Sequence, residues 1–154
     1  VYLFHRKKAF LKYNTPMKNI IFILILITAT FKGFSQHTLT ITVTNISSAK
    51  GVVSAAIYDS ETSFLKFDEV FLSGTSKAEK GNAKVIISNV PSGTYAVAIF
   101  HDENSNNQLD TNFFGIPKEP VAFSNATMRF FGPPKFEDCA FTLEDSDNIT
   151  IALP

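Results

Sequence analysis

Tryptophan is absent from these 154 residues, and Cys139 is the single cysteine. One thiol closes no internal disulfide and forms no Cys-x-x-Cys pair for zinc or redox chemistry, so the fold must rest on its own core. Only Tyr58 and Tyr95 are tyrosines after residue 35, so a flat platform for a sugar ring would have to be phenylalanine. Also missing are a Gly-x-Ser-x-Gly elbow, a His-Glu-x-x-His zinc helix and a glycine-rich phosphate loop. Their absence removes the commonest signatures of hydrolytic, zinc and nucleotide chemistry. No apolar run reaches the roughly 20 residues of a membrane-spanning helix.

Acidic residues are missing from positions 1–35, which hold six of the 14 basic residues. The remainder carries eight basic against 14 acidic residues, a net of −6 that disfavours nucleic acid as a partner. The apolar run Ile20 to Phe31, preceded by Lys18 and followed by Gly33-Phe-Ser-Gln36, has the layout of a secretory signal with small residues near the cut. Cleavage is expected between Ser35 and Gln36. The alternative is an uncleaved anchor stopped by Lys32, which would be the chain's only membrane association. Residues 1–16 read as an upstream or extended basic region, 17–35 as the signal and 36–154 as one domain, periplasmic or secreted. No cysteine stands directly after the apolar run, where a bacterial lipid anchor is usually attached.

From Gln36 onward the apolar period is two. Leu39, Ile41 and Val43 alternate with Thr38, Thr40, Thr42 and Thr44, as a strand with one wet face requires. Val52 to Tyr58 is apolar on both faces and reads as an interior strand. Phe64, Phe67 and Phe71 fall at helical spacing within Asp59 to Leu72, which suits either a short helix or an extended crossover whose rings plug the core. Ser73 to Asn82 reads as a solvated loop, Ala83 to Ser88 as a strand, and Val90-Pro-Ser-Gly93 as a type I turn. The strand Tyr95 to Phe100 follows, then a connection that Pro117 and Pro120 keep irregular. Ala126 to Phe131, Phe136 to Leu143 and Ile149 to Leu153 read as further strands, with Cys139, Phe141 and Leu143 on one face. About seven short strands without a long helical pattern predict an all-β, antiparallel β-sandwich, immunoglobulin-like or transthyretin-like.

The densest chemistry follows the central strand. Asp102, Asn104, Asn106 and Asp110 occupy positions 1, 3, 5 and 9 of a loop, and Gln108 offers a backbone carbonyl at position 7. Oxygens at alternate positions around a turn suit calcium, because each replaces one oxygen of its water shell. The pattern departs from an EF-hand, with Asn107 at position 6 and Phe113 at position 12. Coordination would then need oxygens from elsewhere, and Glu119, Glu103 and Asp59 are the candidates. The plainer reading is a set of Asx-turns at a loop tip. His101 is a second candidate, as a ligand or a general base, although strand alternation turns it away from Asp102. Phe113 and Phe114, if exposed, would mark a binding surface, with the other phenylalanines mostly in the core.

The segment 39–153 resembles the bacterial family called domain of unknown function 2141. The likeness rests on Gly51 to Asp59 (GVVSAAIYD), Phe64, Pro91 to Asn104 (PSGTYAVAIFHDEN), Leu109 to Pro120 (LDTNFFGIPKEP), Phe123 to Asn125 (FSN) and Gly132 to Phe136 (GPPKF). The family's loop commonly has Asn-Gly where this chain has Asn106-Asn107, and Asn also adopts the left-handed backbone that such a turn needs. The resemblance implies a small exported β-sandwich protein of the kind common in Gram-negative bacteria, with no activity attached to it. Together these features predict an exported, non-catalytic module binding a protein or glycan, with calcium in its Asp/Asn loop. The competing expectations are a small periplasmic hydrolase using His101 and the loop carboxylates, and a dedicated glycan-binding module.

Overall fold

Leu39, Ile41 and Val43 are fully buried, while the threonines between them keep partial contact with water, so the first strand forms as its alternation dictates. In the computed structural model, which describes residues 35–130 and 132–154, eight strands follow in order: β1 (Gln36–Ile46), β2 (Val52–Tyr58), β3 (Leu72–Lys77), β4 (Gly81–Pro91), β5 (Gly93–Asp102), β6 (Val121–Phe123), β7 (Phe141–Leu143) and β8 (Asp147–Ala152). The expected signal segment and the residues before it lie outside the described residues, apart from Ser35. Among the described residues no helix is long and apolar enough to cross a membrane.

The strands form two sheets. One has the order β4-β1-β8; the other has the order β3-β2-β5-β6, with β7 also paired to β5. All pairings are antiparallel except β1 with β8. The core lies between the sheets. Leu39, Ile41, Val85 and Ile87 from the first sheet meet Val53, Ile57, Val97 and Ile99 from the second. The fold class is therefore the expected β-sandwich, with β2 interior, flanked by β3 and β5.

The corner between β4 and β5 passes the chain from one sheet to the other through Ser92 alone. Tyr95 secures it: the ring is buried and its hydroxyl donates to the carbonyl of Pro91 at 2.9 Å. This is the tyrosine-corner arrangement of Greek-key sandwiches, in which a phenol ties the start of one strand to the backbone just upstream.

Three local readings need correction. Ser73 to Lys77, within the stretch expected as loop, forms with Leu72 an edge strand paired with β2. Its small residues alternate between half-buried and exposed, and a Cβ on Gly74 would lie 3.0 Å from the Val85 and Ile87 side chains, so the close approach of β4 selects this sequence. Phe136–Cys139, expected within a strand, is a four-residue helix, α1. Glu137 and Asp138 favour its N-terminal end, and the Asp138 carboxylate accepts the Lys135 N–H at 2.9 Å. Cys139 consequently leaves the face predicted for it and packs with Ala96 and Phe123 outside the second sheet, whereas Leu143 enters the main core. The described part of Ala126 to Phe131 is irregular apart from a bridge between Arg129 and Gly132. Asp59 to Leu72 is a turn followed by a single 3-10 turn at Phe67–Glu69. Phe64 plugs the outer cluster between Tyr58, Phe123 and Phe136, but Phe67 faces outward.

Candidate functional site

Along β5 the alternation sends Tyr95, Val97, Ile99 and His101 toward the opposite sheet, and Ala96, Ala98, Phe100 and Asp102 to the outer face. His101 and Asp102 end the strand, both fully buried and divided between the two faces. The Nε2 of His101 donates to the carbonyl of Lys50 at 2.8 Å, since a carbonyl only accepts. Its Nδ1 has no hydrogen-bond partner among the described residues and lies 3.9 Å from Glu103 Oε1, beyond hydrogen-bond length. A general base must reach its substrate; this ring is enclosed.

Asp102 organises the loop after it. Its Oδ1 accepts the N–H of Asn106 at 3.2 Å and its Oδ2 that of Asn107 at 2.8 Å. Asn104 and Asn106 close Asx-turns onto the N–H groups of Asn106 and Gln108, at 3.0 and 2.8 Å. Their amide nitrogens both reach Asp110, at 2.8 and 3.2 Å. Glu119 returns from across the loop, its two oxygens accepting the N–H groups of Glu103 and Asp110 at 3.2 and 3.0 Å. Of the six residues expected as metal ligands, Asn104, Asn106 and Asp110 thus meet through their side chains, Asp102 and Glu119 bind backbone N–H groups of the same loop, and Gln108 joins them through its backbone. Ser105 and Asn107 take left-handed backbone, with φ of 59° and 60°, so Asn107 adopts the conformation expected of it at the turn. Among the described residues no group of three or more His, Cys, Asp and Glu is placed to hold a metal. Asp59 does not belong here. β2 runs antiparallel to β5, so Val52 stands opposite Asp102 while Tyr58, next to Asp59, stands opposite Ala96 at the other end of the strand.

Beyond Asp110 the chain forms a hairpin-like finger. Lys118 donates to the Asp110 carbonyl and Asn112 to that of Ile116, both at 2.8 Å. The Asn112 side chain accepts the N–H groups of Phe114 and Ile116, at 2.9 and 3.0 Å. At the tip Phe113 and Phe114 touch edge to face, 97% and 83% exposed.

The finger is one wall of an apolar cleft of about 590 Å³ on the outer face of the second sheet. Ala56 and Ala98, small residues on neighbouring strands, leave the floor low. Phe114 and Ile116 line one side, with Met128 and Phe130 also contributing to the walls. Phe130 is 93% exposed, and Phe67, also in the lining, is largely exposed too, so more of the phenylalanines stand outside the core than expected. The sequence reading missed this cleft. Its signal was the apolar outer face of β2 and β5, which an interior strand needs only if something covers it.

Tyr58 lines the cleft and is 1% exposed. Burial pushes its phenol pKa up, so the group stays a neutral donor. Cys139, behind the cleft in the outer cluster, is fully enclosed; burial, then the Asp138 carboxylate, push its thiol up to about 11, against a lowering by Arg129. It is the packed thiol expected, poor in the thiolate that nucleophilic chemistry needs.

No curated protein and no solved structure matches this chain. A family model does, over residues 41–151, which takes in both sheets, the Asp/Asn loop and the finger. The chain belongs to the bacterial family described as "Uncharacterized protein conserved in bacteria (DUF2141)".

Proposed function

We propose that this protein is an exported, non-catalytic binding module whose ligand site is the aromatic cleft on the outer face of the second sheet. The observation that carries the reading is the cleft itself, an apolar concavity within the range of about 300–1,000 Å³ typical of small-molecule sites. Large apolar side chains left in water beside a concavity mark a binding surface, and Phe113, Phe114 and Ile116 are such side chains. The enclosure of His101 supports a non-catalytic role, and export rests on the basic-then-apolar layout of residues 17–35. In this reading the Asp/Asn loop is a brace that fixes the finger at its base. The test is fluorescence titration with Nile red, a neutral dye that brightens in apolar surroundings. Saturable binding that Ala98→Trp abolishes, by filling the floor, is expected; no binding, or binding unaffected by Ala98→Trp, would remove the cleft as the site.

Calcium remains a second reading, favoured by the convergence of Asn104 and Asn106 on Asp110 beside Asp102. The residues fit the ion only if both amides turn oxygen inward, which gives up the two Asx-turn bonds. With two Asp carboxylates at the focus, binding would be weak, roughly millimolar to tenth-millimolar. Calorimetry with calcium, and melting with calcium against chelator, decide it. Binding heat with a raised Tm supports the ion; neither leaves a turn closed by its own hydrogen bonds.

A further inference from the structure

Resting on the proposed role of the cleft, we propose that its ligand is a single straight-chain carboxylate, an apolar tail ending in one anionic headgroup. The lining is apolar but for two side chains, Tyr58 and Arg129, and it contains no acidic residue. In a domain of net −6, an apolar site whose one charge is positive selects an anion over a cation.

Both polar groups have donors to give. The Tyr58 hydroxyl makes no hydrogen bond to any described residue. Among the described residues, His101 Nδ1 alone is a fully enclosed side-chain polar atom lacking a partner. The hydroxyl therefore keeps contact with water, and Tyr58 is otherwise packed in and lines the cleft. A buried phenol without a partner loses the hydrogen bond that such groups usually find, and a ligand acceptor would restore it. Arg129 ion-pairs with Asp138 through Nη2, and its side chain is half exposed. A guanidinium carries five N–H donors, so others remain after that contact. A neutral donor and a cation in one apolar cleft match a carboxylate better than an alcohol or an amine. The low floor of Ala56 and Ala98 leaves room for the tail, and the phenylalanines and Ile116 supply its walls.

The experiment displaces Nile red from the purified protein with dodecanoate and, as the headgroup control, dodecanol. Dodecanoate is expected to bind about tenfold or more tightly than dodecanol, the preference that charge-assisted hydrogen bonds confer. Tyr58→Phe removes a hydroxyl with no partner among the described residues, so folding is retained while dodecanoate weakens about fivefold. Arg129→Gln is expected to weaken it by a similar factor or more, with Arg129→Lys restoring part of the loss, and dodecanol, whose oxygen accepts but carries no charge, should lose less. Equal affinity for acid and alcohol, or a preference untouched by both variants, would overturn the carboxylate while leaving Nile red and the cleft standing. Co-sedimentation with phosphatidylcholine vesicles in the absence of any dodecanoate displacement would also overturn it, in favour of a membrane surface. Failure of Nile red itself to bind would instead strike the parent reading.

Discussion

Asn107 donates its backbone N–H to Oδ2 of Asp102 at 2.8 Å, so the residue that turns the loop is held by the buried carboxylate that starts it. Asp102→Ala would strand the N–H groups of Asn106 and Asn107 without their acceptors. Losing two hydrogen bonds to a buried charge is expected to cost about 2–4 kcal/mol, read from urea unfolding. Hydrogen exchange at Asn106 and Asn107 should accelerate with it. Unchanged protection at both amides would mean that Asp102 does not hold the loop.

Gly51 stands against the same residue from the other side. Its φ is 71°, and a Cβ there would lie 1.9 Å from the Asp102 carbonyl oxygen. Because the obstacle is backbone, Gly51→Ala must displace either the β1–β2 turn or the end of β5. The expected loss is about 3 kcal/mol or more, and a urea midpoint equal to that of the parent protein would refute it.

The corner at Tyr95 should respond to loss of one oxygen. Tyr95→Phe keeps the ring and its stacking on Phe71, at 5.7 Å between centroids, but leaves the Pro91 carbonyl without its phenol donor. About 1 kcal/mol of stability should go. A double variant that also changes Phe71 to Leu separates ring packing from hydrogen bonding.

Cys139 gives the fold a pH dependence of known sign. Its thiol is raised from 9.0 to about 11 in the folded protein. Below pH 9 both states keep the proton and no slope results. Between pH 9 and about 11 the unfolded chain releases its proton while the folded chain retains it, so stability falls by about 1.4 kcal/mol per pH unit. Tyr58 and Tyr95, both raised by burial, add to the fall at higher pH. Chemical denaturation at pH 8.5, 9.5 and 10.5 should show the slope, and Cys139→Ala should flatten its first part. A Cys139→Ala profile parallel to that of the parent protein would contradict the assignment. At neutral pH the folded thiol should also resist thiol reagents.

Asn112 locks the finger, with one side-chain oxygen taking two N–H groups. Asn112→Ala is expected to leave global unfolding within about 1 kcal/mol, because the finger is exposed, while exchange at Phe114 and Ile116 quickens. Nile red affinity should fall a few-fold, since a loosened wall must be ordered on binding.

The strands were legible wherever one face is wet and the other dry. Leu39, Ile41 and Val43 announced β1 through a period of two, and the double-faced apolarity of Val52 to Tyr58 announced an interior strand. Edge strand β3 was not legible, because its Ser, Gly and Thr residues owe their place to backbone pairing with β2 and to the nearness of β4. Helix α1 was missed for a related reason: four residues set by a carboxylate and two prolines carry no period. In the loop, the spacing of Asp102, Asn104, Asn106 and Asp110 marked residues of one hydrogen-bonded turn, with Asn104 and Asn106 reaching Asp110 and Asp102 holding the backbone. It did not show that N–H groups of the loop itself would fill the carboxylates.

By itself the sequence determined which residues turn inward along β1 and which short segment gathers Asp and Asn residues, because both follow from neighbours a few positions apart. The cleft was decided only by the tertiary structure. Tyr58, Ala98, Ile116 and Arg129 lie on different segments and share no local pattern; sheet order and antiparallel register bring them to one face. The same pairing that put Ala56 beside Ala98 removed Asp59 from the loop. Periodicity specifies a face of a strand, but the neighbour across that face is set by how the whole chain folds back.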